Sequence, residues 1–241
     1  MFGPIRSLIL AAALFLPLAF FVWFAFAQTL VLPVVGIAKT ILFNWLPEVF
    51  KGVEMNKYAI DWITTLPVDA ETLAQAGGRK VGAVMTVNPM IYGYGLPVVA
   101  GLTLATPISI GKRAWQIAIA AVVIWMVQAN GVIWESIVKM GFQSGPEGAK
   151  LIANAGLNPE FVAFAYQFSY LIIPAITPVI LWCVLNRKFI EQLIMADKFE
   201  DIVDENDPAP SVMTHMPDAP EAQAESSAVP KNPANNPGQS S

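Results

Sequence analysis

Apolar positions along this chain gather into long, almost uncharged runs instead of the stripes and alternations of a water-soluble fold. Leu8 to Ala27 is broken only by Pro17. As a helix its twenty residues rise about 30 Å, the thickness of a bilayer's hydrocarbon core. Three further runs, Tyr94–Ile110, Ala114–Glu135 and Phe161–Leu185, have the same character. They predict four transmembrane helices. Pro17, Pro97, Pro107, Pro174 and Pro178 are tolerable in such helices, because neighbouring helices satisfy the backbone groups that a proline frees.

The first run has a rival reading. Arg6, the apolar stretch and Ala25-Phe26-Ala27 together resemble a signal peptide with its cleavage site. The run is longer than the usual signal core and rich in Phe and Trp. Either reading sends the chain that follows out of the cytoplasm.

Thr29–Phe50 is apolar enough to suggest another span, yet Pro33, Lys39, Asn44 and Pro47 interrupt it. Ile37, Ile41 and Trp45 share a helical face and Lys39 falls off it, predicting an amphipathic helix that lies on the outer membrane surface. Residues 52–92 are the stretch that best resembles a water-exposed, periplasmic domain. Tyr58, Ile60 and Trp62 alternate with Ala59, Asp61 and Ile63, and Val81, Ala83, Met85 and Val87 do likewise, predicting strands. Leu73–Ala76 and a Gly77-Gly78 turn signal lie between them. Two strands alone are marginal in water, so they need support from the preceding helix, the membrane surface or a partner. Residues 136–160 read as a Gly-rich periplasmic loop.

Orientation follows from the basic residues. Arg6, Lys112-Arg113 in a short turn, and Arg187-Lys188 all abut spans. Four spans with the N-terminus inside put every one of these groups in the cytoplasm, as positive-inside asymmetry requires. Making Thr29–Phe50 a span would move the last two groups outside. The expected architecture is therefore mainly α and integral to the membrane. It has four transmembrane helices, a small extracytoplasmic α+β domain between the first and second, and both ends cytoplasmic.

Composition refines this picture. Apolar residues are 55% of the chain and charged residues 13%, about half the charged share of a soluble domain. The net charge of −4 belongs to the tail, residues 196–241. That tail is acidic, rich in Pro, Ala, Ser and Asn from about Asp204 onward, and expected to be disordered.

Little catalytic chemistry is possible. The chain has one histidine, His215 in the tail, and one cysteine, Cys183 in an apolar run. A Ser-His-Asp triad, a His-Glu-x-x-His zinc site and a phosphate-cradling loop are all missing. No disulfide can form within the chain, and Cys183 in apolar surroundings is an inert thiol. The last three spans carry no ionisable residue well inside, which argues against a proton-coupled transporter or pump. No catalytic residue, cofactor or metal is expected, and no nucleic acid partner.

Two groups of residues remain as candidate sites. Gln116, Gln128, Asn130, Gln167 and Ser169 are polar residues within spans. Gln128 is fourteen residues into its span and Gln167 six residues into the last, about 21 Å and 9 Å along antiparallel helices. In a core about 30 Å thick those depths coincide, predicting an amide hydrogen bond between Gln128 and Gln167. The second group is Asn88-Pro89-Met90-Ile91-Tyr92-Gly93-Tyr94-Gly95-Leu96-Pro97. It reads either as a strand-to-helix junction with an aromatic belt or as a docking surface, with Asn88, Pro89, Tyr92, Tyr94 and Pro97 as its contact residues.

This segment, with Leu104-Ala105-Thr106-Pro107 and the layout over residues 5–190, resembles the exosortase H-associated membrane proteins. These are small bacterial proteins associated with a membrane-embedded protein-sorting enzyme. The resemblance implies a non-enzymatic accessory in protein sorting or export at the bacterial inner membrane, with lipid and a polytopic sorting enzyme as partners. The sorting enzymes use Cys, Arg and His within the membrane. This chain lacks the histidine and any mid-span arginine, so it does not resemble the enzyme itself. A subunit of a small-molecule transport system is the alternative reading, and an intramembrane hydrolase a more distant one.

Overall fold

A computed structural model describes residues 4–66 and 82–195. The expected Leu73–Ala76 segment, the Gly77-Gly78 turn, the start of the strand at Val81 and the acidic tail lie outside the described residues. What is described is mainly helical, with one three-stranded sheet.

Helix α1 spans Pro4–Ala25 and carries Pro17 inside it. A break at Phe26 separates it from α2, Ala27–Trp45. Strands β1 (Phe50–Asn56) and β2 (Ala59–Thr64) form a hairpin whose turn places Lys57 at a φ of 58°. Strand β3, Val84–Val87, pairs with β2, and both pairings are antiparallel. The predicted alternation places Ile60, Trp62, Met85 and Val87 on the buried face. Strand β1 was not expected. Its sequence, Phe50 to Asn56, has no clean alternation, and a bulge between Phe50 and Gly52 shifts its register.

A short turn of helix, α3 (Met90–Gly93), leads into α4 (Gly95–Ala105). The span expected to reach Ile110 ends earlier. Thr106 adopts an extended conformation, φ −77° and ψ 133°, because a residue that precedes proline is pushed out of the helical region. The Gly111-Lys112-Arg113 group is consequently not a turn. It forms the first turn of α5, Ile110–Val138.

Helix α5 also outruns its expected end at Glu135. It continues through a π-helical turn at Lys139–Gln143 and is followed by α6, Gly145–Asn154. Most of the expected loop at 136–160 is therefore helical. Glycines there serve close packing: Gly148 abuts the carbonyl of Met140, and Gly141 abuts Ile152, a buried residue of α6. The last span is α7 (Pro159–Gln167), a π-helical turn at Phe168–Ile172, and α8 (Ile173–Leu185). Asn158 caps α7 by accepting from the N–H groups of Glu160 and Phe161, with Pro159 in the first turn.

Among the described residues four helices are long and apolar enough to cross a membrane: Ile5–Ala25, Ala27–Trp45, Ile110–Gln143 and Pro159–Leu185. This set differs from the expected one. It includes α2, and the Met90–Ala105 stretch is shorter. Packing shows how α2 differs from the others. Its first residues, Ala27 and Val31, cluster with Met90, whose neighbour Pro89 is bonded to Gln128 of α5. Its last residue, Trp45, stacks edge-on against Trp134 of α5, centroids 6.0 Å apart. Helix α2 thus packs on Met90 at its start, while its Val34, Ala38, Leu42 and Trp45 pack with the end of α5.

The main apolar core sits between α2, the sheet and the end of α5. It joins Val34, Ala38 and Leu42 of α2, Phe50, Ile60, Trp62 and Val87 of the sheet, and Val132, Ile137 and Met140 from α5 and the π turn. The sheet's expected need for support is met by α2 and the end of α5. At the other end, α1 packs along α4, with Leu16 against Gly101.

Candidate functional site at the Asn-Pro-Tyr junction

The junction between β3 and α4 is built from the residues that the sequence singled out. Asn88 Oδ1 accepts a hydrogen bond from the Met90 N–H at 3.0 Å, turning the chain after the strand. Proline at 89 cannot extend the β-ladder, since it has no N–H. Its carbonyl accepts both from the Tyr92 N–H at 3.1 Å and from Gln128 Nε2 of α5 at 2.8 Å. Two glycines permit the close approach: a Cβ on Gly93 would lie 2.6 Å from Gln128 Nε2, and Gly131 of α5 faces the Tyr92 ring with no room for a side chain.

Tyr92 enters the space that Gly131 leaves. Its hydroxyl donates to Glu135 Oε2 at 2.8 Å, and Glu135 Oε1 pairs with Lys139 Nζ, also at 2.8 Å. Lys139 in turn donates to the Thr86 carbonyl of β3 at 2.6 Å, and the Thr86 hydroxyl donates to Asp61 of β2 at 2.6 Å. A continuous polar chain therefore ties the sheet, α5 and the junction together. Tyr170 packs edge-on against Tyr92 at 6.1 Å, and Tyr166 stacks on Tyr170 at 5.9 Å.

Chemically this arrangement is a lock. Both oxygens of Glu135 are engaged, one by a hydroxyl and one by an ammonium, which is how a buried carboxylate becomes tolerable. Among the described residues no group of three or more His, Cys, Asp or Glu is placed to hold a metal ion.

The five proposed contact residues do not form a surface. Pro89, Tyr92 and Pro97 are buried inside the chain, Asn88 and Tyr94 are part-exposed, and Ile91 between them is exposed. The junction reading is the one this geometry carries. The expected Gln128–Gln167 contact is not made either, because Gln128 serves Pro89 and Gln167 points outward, exposed. The two helices are joined two residues further along each, where Asn130 Nδ2 donates to Ser169 Oγ at 2.7 Å. Because the two helices are antiparallel, that pairing offsets Gln128 from Gln167 by four residues, about one helical turn. Gln116 bonds elsewhere, to the Leu185 carbonyl and to Asn186.

Gly131, Glu135, Lys139 and Thr86 escaped the sequence reading as members of this site. The i, i+4 spacing of Glu135 and Lys139 was the available signal. It was hidden by assigning the two residues to different elements.

The Asn88–Pro97 junction lies within a match to the family model of the exosortase H-associated membrane protein, which extends over residues 3–189. The chain belongs to that family. In this exosortase H-associated membrane protein the match takes in α1 through α8, and with them the sheet and the junction. No curated protein and no solved structure matches the chain.

Proposed function

We propose that this protein is a non-enzymatic accessory of an exosortase-type protein-sorting or export system in the bacterial inner membrane. The observation that carries the reading is membership, over residues 3–189, of a family described as exosortase H-associated.

The proposed topology has α1, Met90–Ala105, α5 and α7–α8 crossing the bilayer, with α2 lying across the outer surface beneath the sheet. Two observations support it. Val34, Ala38 and Leu42 of α2 share one core with the sheet and with the C-terminal end of α5. Arg6, Lys112-Arg113 and Arg187-Lys188 gather at the opposite end, since Gln116 bonds to Leu185 and Asn186, Trp182 bonds to Thr106, and α1 packs antiparallel to α4. That end would be cytoplasmic.

With Tyr92 acting as an internal lock, partner contact falls to the residues beside it that reach the surface, exposed Ile91 and part-exposed Tyr94. The test is a crosslinked pull-down of the tagged, full-length protein from its native membranes, read by mass spectrometry. Recovery of a polytopic sorting enzyme is expected, with loss in the Ile91→Ala/Tyr94→Ala double variant and retention in Tyr92→Phe. Recovery of nucleotide-driven transporter subunits, or of no partner, would overturn the reading in favour of a transport subunit.

A further inference from the structure

Where α5 begins and α8 ends, the chain forms a cavity of about 240 Å³ lined by Lys112, Gln116, Leu185, Asn186, Arg187 and Lys188, among others. Three of these side chains are cationic, all three are exposed, and no acidic residue lines the cavity. Ser109, the residue before α5, makes no side-chain cap. The first-turn N–H groups of a helix then add their positive end to the same site.

Gln116 gives the site a polarity that cations alone would not. It is only 9% exposed. Its Nε2 donates to the Leu185 carbonyl and to Asn186 Oδ1, both at 3.1 Å. Asn186 Nδ2 donates to the Trp182 carbonyl, so Asn186 Oδ1 is fixed as an acceptor, and the Gln116 amide cannot be reversed. Gln116 Oε1 is therefore an acceptor, and it has no partner. A buried carbonyl oxygen without a donor is costly. The site thus offers exposed positive charge, and Gln116 in its lining carries a buried acceptor with no donor among the described residues.

We infer that this cavity binds the headgroup of an anionic phospholipid that carries a hydroxyl donor, of the phosphatidylglycerol type. The phosphate lies among Lys112, Arg187, Lys188 and the N-terminus of α5, and a glycerol hydroxyl donates to Gln116 Oε1. Basic pockets between membrane helices at a leaflet surface take such headgroups, and the volume is below the roughly 300–1,000 Å³ of sites for drug-sized ligands. The inference rests on α5 and α8 being spans and is independent of any sorting partner.

The experiment is native mass spectrometry of the full-length protein released from nanodiscs of defined composition. Four additives are compared: phosphatidylglycerol, phosphatidylmethanol (equally anionic, without the hydroxyls), phosphatidylcholine and free glycerol 1-phosphate. Retention is expected to favour phosphatidylglycerol about tenfold or more over phosphatidylcholine and a few-fold over phosphatidylmethanol, about the worth of one hydrogen bond. The Lys112→Ala/Arg187→Ala/Lys188→Ala variant, whose substitutions are all at exposed positions, should lose the first preference. A control at the distant, exposed Lys150 (Lys150→Ala) should keep it. Equal retention of all three lipids, an unchanged preference in the triple variant, or displacement of the lipid by equimolar glycerol 1-phosphate would each overturn the proposal.

Discussion

The Tyr92 hydroxyl and Glu135 Oε2 are 2.8 Å apart, joining residues 43 positions distant in sequence. Glu135 is 7% exposed, so this bond is made where water does not replace it easily. Tyr92→Phe keeps the ring and removes the donor, leaving a carboxylate oxygen unpaired. The expected cost is about 1–3 kcal/mol, read as a lower unfolding temperature in detergent. Tyr92→Ala also opens a cavity and should cost about 3–5 kcal/mol. Equal melting of Tyr92→Phe and the parent would show that the bond contributes nothing.

Gly131 sets the space for that ring. A methyl group at this position meets Tyr92 side-chain atoms directly, so Gly131→Ala should destabilise by about 1–3 kcal/mol through overpacking. Gly36, in α2, faces open space. There Gly36→Ala should be neutral or stabilise by up to about 1 kcal/mol, since alanine is the better helix former. Thermal melts of the two variants side by side separate a packing effect from a propensity effect.

For the contact between α5 and the last span, Asn130→Leu should cost about 0.6–2 kcal/mol by removing the bond to Ser169. Gln167→Leu, at an exposed position, should leave the melting temperature unchanged. The reverse ranking would place the interhelical contact at the glutamine.

The β1–β2 turn holds Lys57 at a positive φ of 58°, a region that costs a side-chain-bearing residue about 1–2 kcal/mol. Lys57→Gly should recover about 1 kcal/mol and slow proteolysis at the hairpin. A destabilised Lys57→Gly protein would mean that its greater freedom when unfolded outweighs the relief of strain.

Much of the fold was legible because long apolar runs and period-two alternation are strong, local signals. The strand at Ala59–Thr64, the membrane character of α1, α5 and α7–α8, and the Asn-Pro junction all came from such runs. The ends of elements were less legible. Thr106 leaves the helix because of Pro107, a local signal that the surrounding apolar run masks, while α5 carries on beyond Glu135 because α2 and the sheet bury Ile137 and Met140, a burial not written in the local sequence. The site was half legible for the same reason. Asn88, Pro89 and Tyr92 stand out by their own chemistry, whereas Gly131 and Lys139 matter only through what folds against them. Strand β1 was missed because its bulge erases the alternation that marks a strand.

The core that α2 and the sheet share with the end of α5 also bears on the order in which the polypeptide can be completed during synthesis. Phe50, Ile60 and Trp62 emerge from the ribosome about seventy residues before Val132, Ile137 and Met140, the α5-end residues that cover them. Until that later segment arrives, the apolar face of the hairpin lacks its cover from α5. The β-sheet is therefore made early and sealed late, so a stalled nascent chain that ends before Val132 should present Trp62 to proteases and chaperones.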